Sequence, residues 1–172
     1  MTLENDPTSP TIRRLEVDRA IAADAGTIFD VLRSPAGHVA IDASGMLMSA
    51  EGEAATAVGD RFVVHMDRDS LRDFDLGEYD VTVVIDTFET DREIAWTIDG
   101  SFDPPIGHVY GYRLDPIEGG TLVTSYYDWS NLHENYAAMA DSVFPVISET
   151  NLRATLGILA RTVAPGRSRP GA

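Results

Sequence analysis

Six stretches of β-branched and aromatic residues follow one another in the middle of the chain, at Met46–Ala50, Arg61–Met66, Tyr79–Phe88, Ile94–Ile98, His108–Leu114 and Leu122–Trp129. Turn residues separate them, so the middle of the chain reads as a run of strands. Glu118-Gly119-Gly120 joins the last two in a tight hairpin, because glycine takes positive φ at no steric cost, and so makes them antiparallel neighbours. A further strand precedes the run at Arg13–Ala22, where Leu15, Val17 and Ile21 alternate with Glu16, Asp18 and Ala20 and bury one face. Asp24 is placed to cap a short helix that ends near Ser34 before Pro35, with a second helical turn after Pro35. Asn131, with Glu134 three residues on, predicts another helical stretch that Pro145 splits in two. In its second piece Leu152, Leu156, Leu159 and Val163 fall at i, i+4, i+7 and i+11, one apolar stripe on a long terminal helix. The order, about seven antiparallel strands bracketed by helices, is an α+β layout, and a highly curved sheet wrapped on the one long helix would leave a space between them.

Composition narrows the chemistry. The 172 residues weigh 18.7 kDa, one domain's worth. Residues 1–10 and 165–172 are polar or rich in proline and glycine and are expected to be disordered tails around a single domain at 11–164. There is no cysteine, which removes disulfides, thiol nucleophiles and thiolate zinc sites. All the basic residues are arginines, so a Schiff-base lysine and a phosphate-loop lysine are excluded as well. The net charge of −15 opposes phosphate backbones and anionic bilayers, so neither nucleic acid nor stable membrane insertion is expected. The polar N-terminal segment lacks a basic n-region and an apolar h-region, and the expected residence is cytoplasmic. His133-Glu134 lacks a second histidine at metalloprotease spacing, and neither a G-x-S-x-G elbow nor a G-x-G-x-x-G turn follows a strand. No metal and no cofactor are expected. Asp67–Glu78 alternates acids but lacks the glycine an EF-hand loop needs, and reads as a solvated connection with arginines balancing some of its acids.

The segments IAADAGTIFDVLRSPAGHVAIDASG, GHVYGYRLDPIEGGTLVTSYYDWS and VISETNLRATLGILARTV, in this order, resemble the helix-grip domains of the START, Bet v 1 and polyketide cyclase/dehydrase-like superfamily (SRPBCC), from about Ile12 to Val163. The resemblance implies an apolar or amphipathic small molecule held between the concave face of the sheet and the long helix. In such proteins it is carried, sensed or chemically transformed. His38, Asp42 and Ser44 resemble the stretch that closes one end of the cavity in cyclase-like members, with Ile41 where relatives often carry tryptophan. A local reading competes, in which Asp42 and Ser44 bond nearby amides and His38 lies at the surface.

Strand parity nominates the cavity wall, because alternate side chains point the same way. The expected ligand-binding set is Val81, Val83, Ile85, Trp96, Ile98, Tyr110, Val123, Ser125, Tyr127 and Trp129, with Leu152 and Leu156 from the terminal helix. Aromatics with polar tips suit an oriented, mostly apolar ligand, although the same rings serve equally as ordinary core. His108 and Tyr112 share that face and are the candidate catalytic pair, a histidine beside phenols acting as general acid and base. The expected function is binding or transport of a small hydrophobic or amphipathic ligand. Two alternatives stand beside it: an aromatase, cyclase or dehydratase working in the same cavity without a cofactor, and a protein-interaction module with a filled core. Whether the chain forms a homodimer is left open.

Overall fold

The computed structural model describes residues 11–100 and 102–171. Seven strands form one antiparallel sheet: β1 (Arg14–Ile21), β2 (Leu47–Glu51), β3 (Arg61–Asp67), β4 (Glu78–Glu89), β5 (Glu93–Asp99), β6 (Val109–Ile117) and β7 (Gly120–Asp128). Their spatial order is β1-β7-β6-β5-β4-β3-β2, so the first strand returns to pair with the last. The expected α+β class and the tight hairpin are both present, the latter with Gly119 at φ 80°. The register slips at Leu47/Ser49 in β2 and at Ile85/Thr87 in β4, bulges of the kind that bend a sheet.

Helix α1 (Ala25–Leu32) starts where Asp24 accepts the amide of Thr27 at 2.8 Å. Helix α2 (Pro35–Ile41) follows at once, capped by Ser34. Helix α3 (Glu149–Val163) is capped by Ser148 and buries Leu152, Leu156 and Leu159, the stripe its spacing predicts, with Val163 half-buried. The stretch after β7 departs from expectation. Asn131 caps nothing; His133 accepts the amide of Asn135, and Glu134–Met139 forms a 3-10 helix rather than an α-helix. The segment 1–10, expected to be disordered, lies outside the described residues. Residues 165–171 follow α3, and Pro170 lies against the Gly119-Gly120 hairpin.

The position of α3 sets up the site. It packs on β1 and β7 and touches α1 and α2, so it does not reach the strands at the other end of the sheet, where α2 packs on β2 and β3 instead. The core proper lies under α3 and α1, with Val17, Ile21, Ile28, Phe29, Leu32, Val123, Leu156 and Leu159 all buried. One close approach holds the two short helices together: a Cβ on Gly37 would lie 1.9 Å from the carbonyl oxygen of Val31. Gly37→Ala must push α2 off α1, and equilibrium urea unfolding is expected to show a loss of about 2 kcal/mol or more.

Candidate functional site

Between the inner face of the sheet, α2 and the start of α3 lies a cavity of about 530 Å³. That volume is within the range of small-molecule sites. The pleat of two neighbouring strands, β5 and β6, builds its aromatic wall, and a ring from β7 backs it. Trp96 of β5 pairs with Tyr110 of β6, and Tyr110 pairs with Tyr127 of β7. Their rings form a ladder, with centroids 6.2 Å apart between Trp96 and Tyr110 and 4.7 Å between Tyr110 and Tyr127. Tyr112 also stacks with Trp96, at 5.9 Å. This period-two alternation is what carries all four rings to one face.

Of the residues nominated from the sequence, Val81, Val83, Trp96, Ile98, Tyr110, Ser125 and Leu152 line the cavity, as do His108, Tyr112, His38, Asp42 and Ser44. Ile85, Val123, Tyr127, Trp129 and Leu156 are buried in the core and do not form its wall. Two of these, Val123 and Tyr127, lie on β7, the strand that α3 covers. Parity identified the inward face correctly but could not tell which part of it a helix would cover.

His108 and Tyr112 are not brought together, since Tyr110 stands between them on β6. His108 sits just before that strand, and its Nδ1 lies 2.9 Å from the hydroxyl of Tyr127, which also bonds Tyr110. Burial pushes His108 down to about 4 and Tyr112 up to about 12, the latter moderated by a hydrogen bond with Ser125 and raised further by the charge of Asp42. His38 corrects the surface reading. It is buried against Trp96 and Phe62, with ring centroids at 4.4 and 4.9 Å. Its Nε2 donates to the Leu32 carbonyl at 2.7 Å; a carbonyl only accepts, so this nitrogen carries the proton. Burial lowers His38 to about 4 despite that bond, and the ring is neutral at pH 7. Asp42 and Ser44 do bond locally: one Asp42 oxygen accepts the Ser44 amide at 2.9 Å and hydroxyl at 2.6 Å, and the other the Leu47 amide at 3.1 Å.

The sequence reading missed Arg68. It placed Arg68 in a solvated connection, whereas its side chain is 8 % exposed and lines the cavity. Nε and Nη2 donate to the two oxygens of Asp73 at 2.9 and 2.7 Å, and Nη1 points to the sulfur of Met46 at 3.2 Å. Burial opposes the charge, but bonds to Asp73 and Tyr79 outweigh it and hold the pKa above its ordinary value. Asp73, five residues on, was the only available signal: arginine with an acid at that distance. The same connection carries Phe74 and Leu76 to the cavity, where with Phe102 and Met139 they form a rim 39–44 % exposed. Among the described residues no group of three histidine, aspartate or glutamate side chains could hold a metal ion, and no helix is long and apolar enough to cross a membrane.

This arrangement of sheet and terminal helix recurs in solved proteins. An AHSA1-like protein from Aeromonas hydrophila superposes with a TM-score of 0.59 at 16% identity, over 87% of this chain and 91% of that one. The chain has the helix-grip fold. A protein from Rhodobacter sphaeroides gives 0.60 at 20% identity, over 94% and 97% of the two chains. The Aha1 dimer from Colwellia psychrerythraea gives 0.58 at 18%, over 90% and 98%. These neighbours belong to the SRPBCC superfamily that the sequence resembles. No known family description and no curated protein matches the sequence.

Both cavity histidines make this helix-grip domain sensitive to acid. Their folded pKa values lie below that of an unfolded histidine, so the unfolded chain takes up the protons first as the pH falls. Their contribution is full above about pH 6.5 and is lost between there and pH 4, on the order of 3 kcal/mol for each at most. Urea unfolding at pH 7 and pH 4.5 should show the loss, and His108→Gln should reduce it.

Proposed function

We propose that the protein binds a small hydrophobic or amphipathic molecule in the cavity between the sheet and α3, as a carrier or receptor of that molecule. The observation that carries this reading is the 530 Å³ space walled by Trp96, Tyr110, Tyr112, Val81, Val83 and Leu152. An apolar ligand in a space of this size gains close packing against its walls and leaves water. The helix-grip likeness agrees with it.

The acid-base alternative has less support. A general acid or base works best with a pKa near the operating pH, and His108 at about 4 and Tyr112 at about 12 lie well to either side of it. Their separation by Tyr110 argues against a concerted pair. The filled-core interaction module is disfavoured by the cavity itself. Cytoplasmic residence and a homodimer, the assembly named for the Colwellia protein, belong to the same proposal.

Native mass spectrometry of the purified protein, followed by extraction, tests the reading and reports the oligomeric state in the same spectra. A co-purifying apolar molecule near one per chain supports it. Ile98→Trp supplies the control, because the larger side chain fills the cavity from a half-buried position. We expect this variant to lose both the co-purified molecule and the rise in Tm that ligand produces by mass action, while its unliganded Tm stays within a few degrees of wild type. If the variant keeps both, the cavity is not the site.

A further inference from the structure

Building on that reading, we infer that the bound molecule is uncharged and carries a hydrogen-bond acceptor of the carbonyl class, which seats on Nη1 of Arg68 while its apolar body lies along Trp96 and Tyr110. Among the described residues that line the cavity, Arg68 is the one cation, and Asp42 and Asp75 are the anions. The Arg68 charge is already matched by both oxygens of Asp73. A carboxylate or phosphate head entering the cavity would therefore lose its water without finding a free counter-charge, and burial of an unpaired ion is the costliest event a site of this kind can suffer.

A cationic head fares no better. The oxygens of Asp42 already accept bonds within their own turn, Asp75 is exposed at the rim, and the guanidinium itself repels a second cation. His38 and His108 are neutral near pH 7 and change neither balance.

What the site does offer is a donor with a poor partner. Nη1 of a buried guanidinium faces the thioether of Met46, a weak acceptor, at 3.2 Å. Tyr79, which also bonds this guanidinium, lines the same space. A carbonyl oxygen arriving there would replace sulfur with a strong acceptor and form a charge-assisted bond with no change in net charge. Tyr110 stands close enough for its phenol to feel the Arg68 charge, which sets the aromatic ladder beside the head position. The ligand's orientation follows: head at Arg68, beside the Phe74 ring that covers the guanidinium, and body against the aromatic rings.

The test uses four thirteen-carbon probes of matched length: tridecane, 2-tridecanone, tridecanoate and tridecylamine. Each competes against a fluorescent uncharged naphthylamine at pH 7.5. We expect the ketone to bind about tenfold or more tightly than the other three, the effect of one hydrogen bond to a charged group. Arg68→Met should bring the ketone to the affinity of the alkane and leave the alkane unchanged. Asp73→Asn, at a residue whose side chain is 41 % exposed, unpairs the guanidinium without disturbing the core. It should raise tridecanoate affinity about tenfold while the ketone holds its own, since the freed cation can then pair with a carboxylate. Wild-type binding of tridecanoate or tridecylamine as tight as the ketone overturns the inference, as does a ketone advantage that survives Arg68→Met. Should Arg68→Met fail to fold, an unchanged tridecanoate affinity in Asp73→Asn overturns it alone. Failure of all four probes, alkane included, is a different result: it removes the cavity-binding reading itself.

Discussion

The register between β6 and β7 is the constraint on which the site depends. Tyr110 opposite Tyr127 and Tyr112 opposite Ser125 send their side chains into the molecule, while Gly111 opposite Tyr126 sends a bare backbone and a ring outward. A slip of one residue would exchange the two sets and turn the cavity's aromatic wall out to solvent. Gly111 helps to pin this register. A Cβ there would lie 2.2 Å from the Tyr126 ring, so the ring lies flat over the glycine, clamped by Arg14 above it and by Glu93 at its hydroxyl. An outward-facing contact thus holds the inward-facing one in place.

Electrostatic neutrality is the second theme. The surface carries a strong excess of acids, yet the cavity beneath it is built from groups kept uncharged or paired. Phenols are pushed up and imidazoles down by the same cause, the loss of water around a charge. The one buried guanidinium is neutralised by a carboxylate from its own loop. Such an interior distinguishes ligands by the presence of charge before it distinguishes them by shape.

Much of this was legible in the sequence, and the reasons are physical. A strand's period of two is exact, so Trp96, Tyr110, Tyr112 and Ser125 were placed on the correct face from spacing alone. The leucine stripe of α3 follows the helical repeat in the same way. What could not be read was the placement of one element over another: Val123 and Tyr127 share the inward face but lie on the strand that α3 covers, and Leu156 of α3 packs in the core rather than beside the cavity; no periodicity encodes that. Arg68 was invisible for a different reason. It lies in a connection whose acids suggested solvent, and only the fold of the loop brings Asp73 back to pair with it under a cover of Phe74. Asn131 misled because a capping sequence also suits a 3-10 helix, and His133 took the capping position.

Phe74 covers the guanidinium itself, so the partly exposed side of the rim formed by Phe102 and Met139 is the one with a consequence for how such a cavity would measure its occupant. A chain lying from Arg68 toward the opening gains about 0.8 kcal/mol for each methylene that leaves water, as long as it still runs between apolar walls. Past the rim, further carbons return to solvent and gain nothing. Affinity plotted against chain length would climb and then level, and the position of the break would give the distance from guanidinium to rim in units of carbon atoms. The rim is then a ruler whose zero mark is the guanidinium.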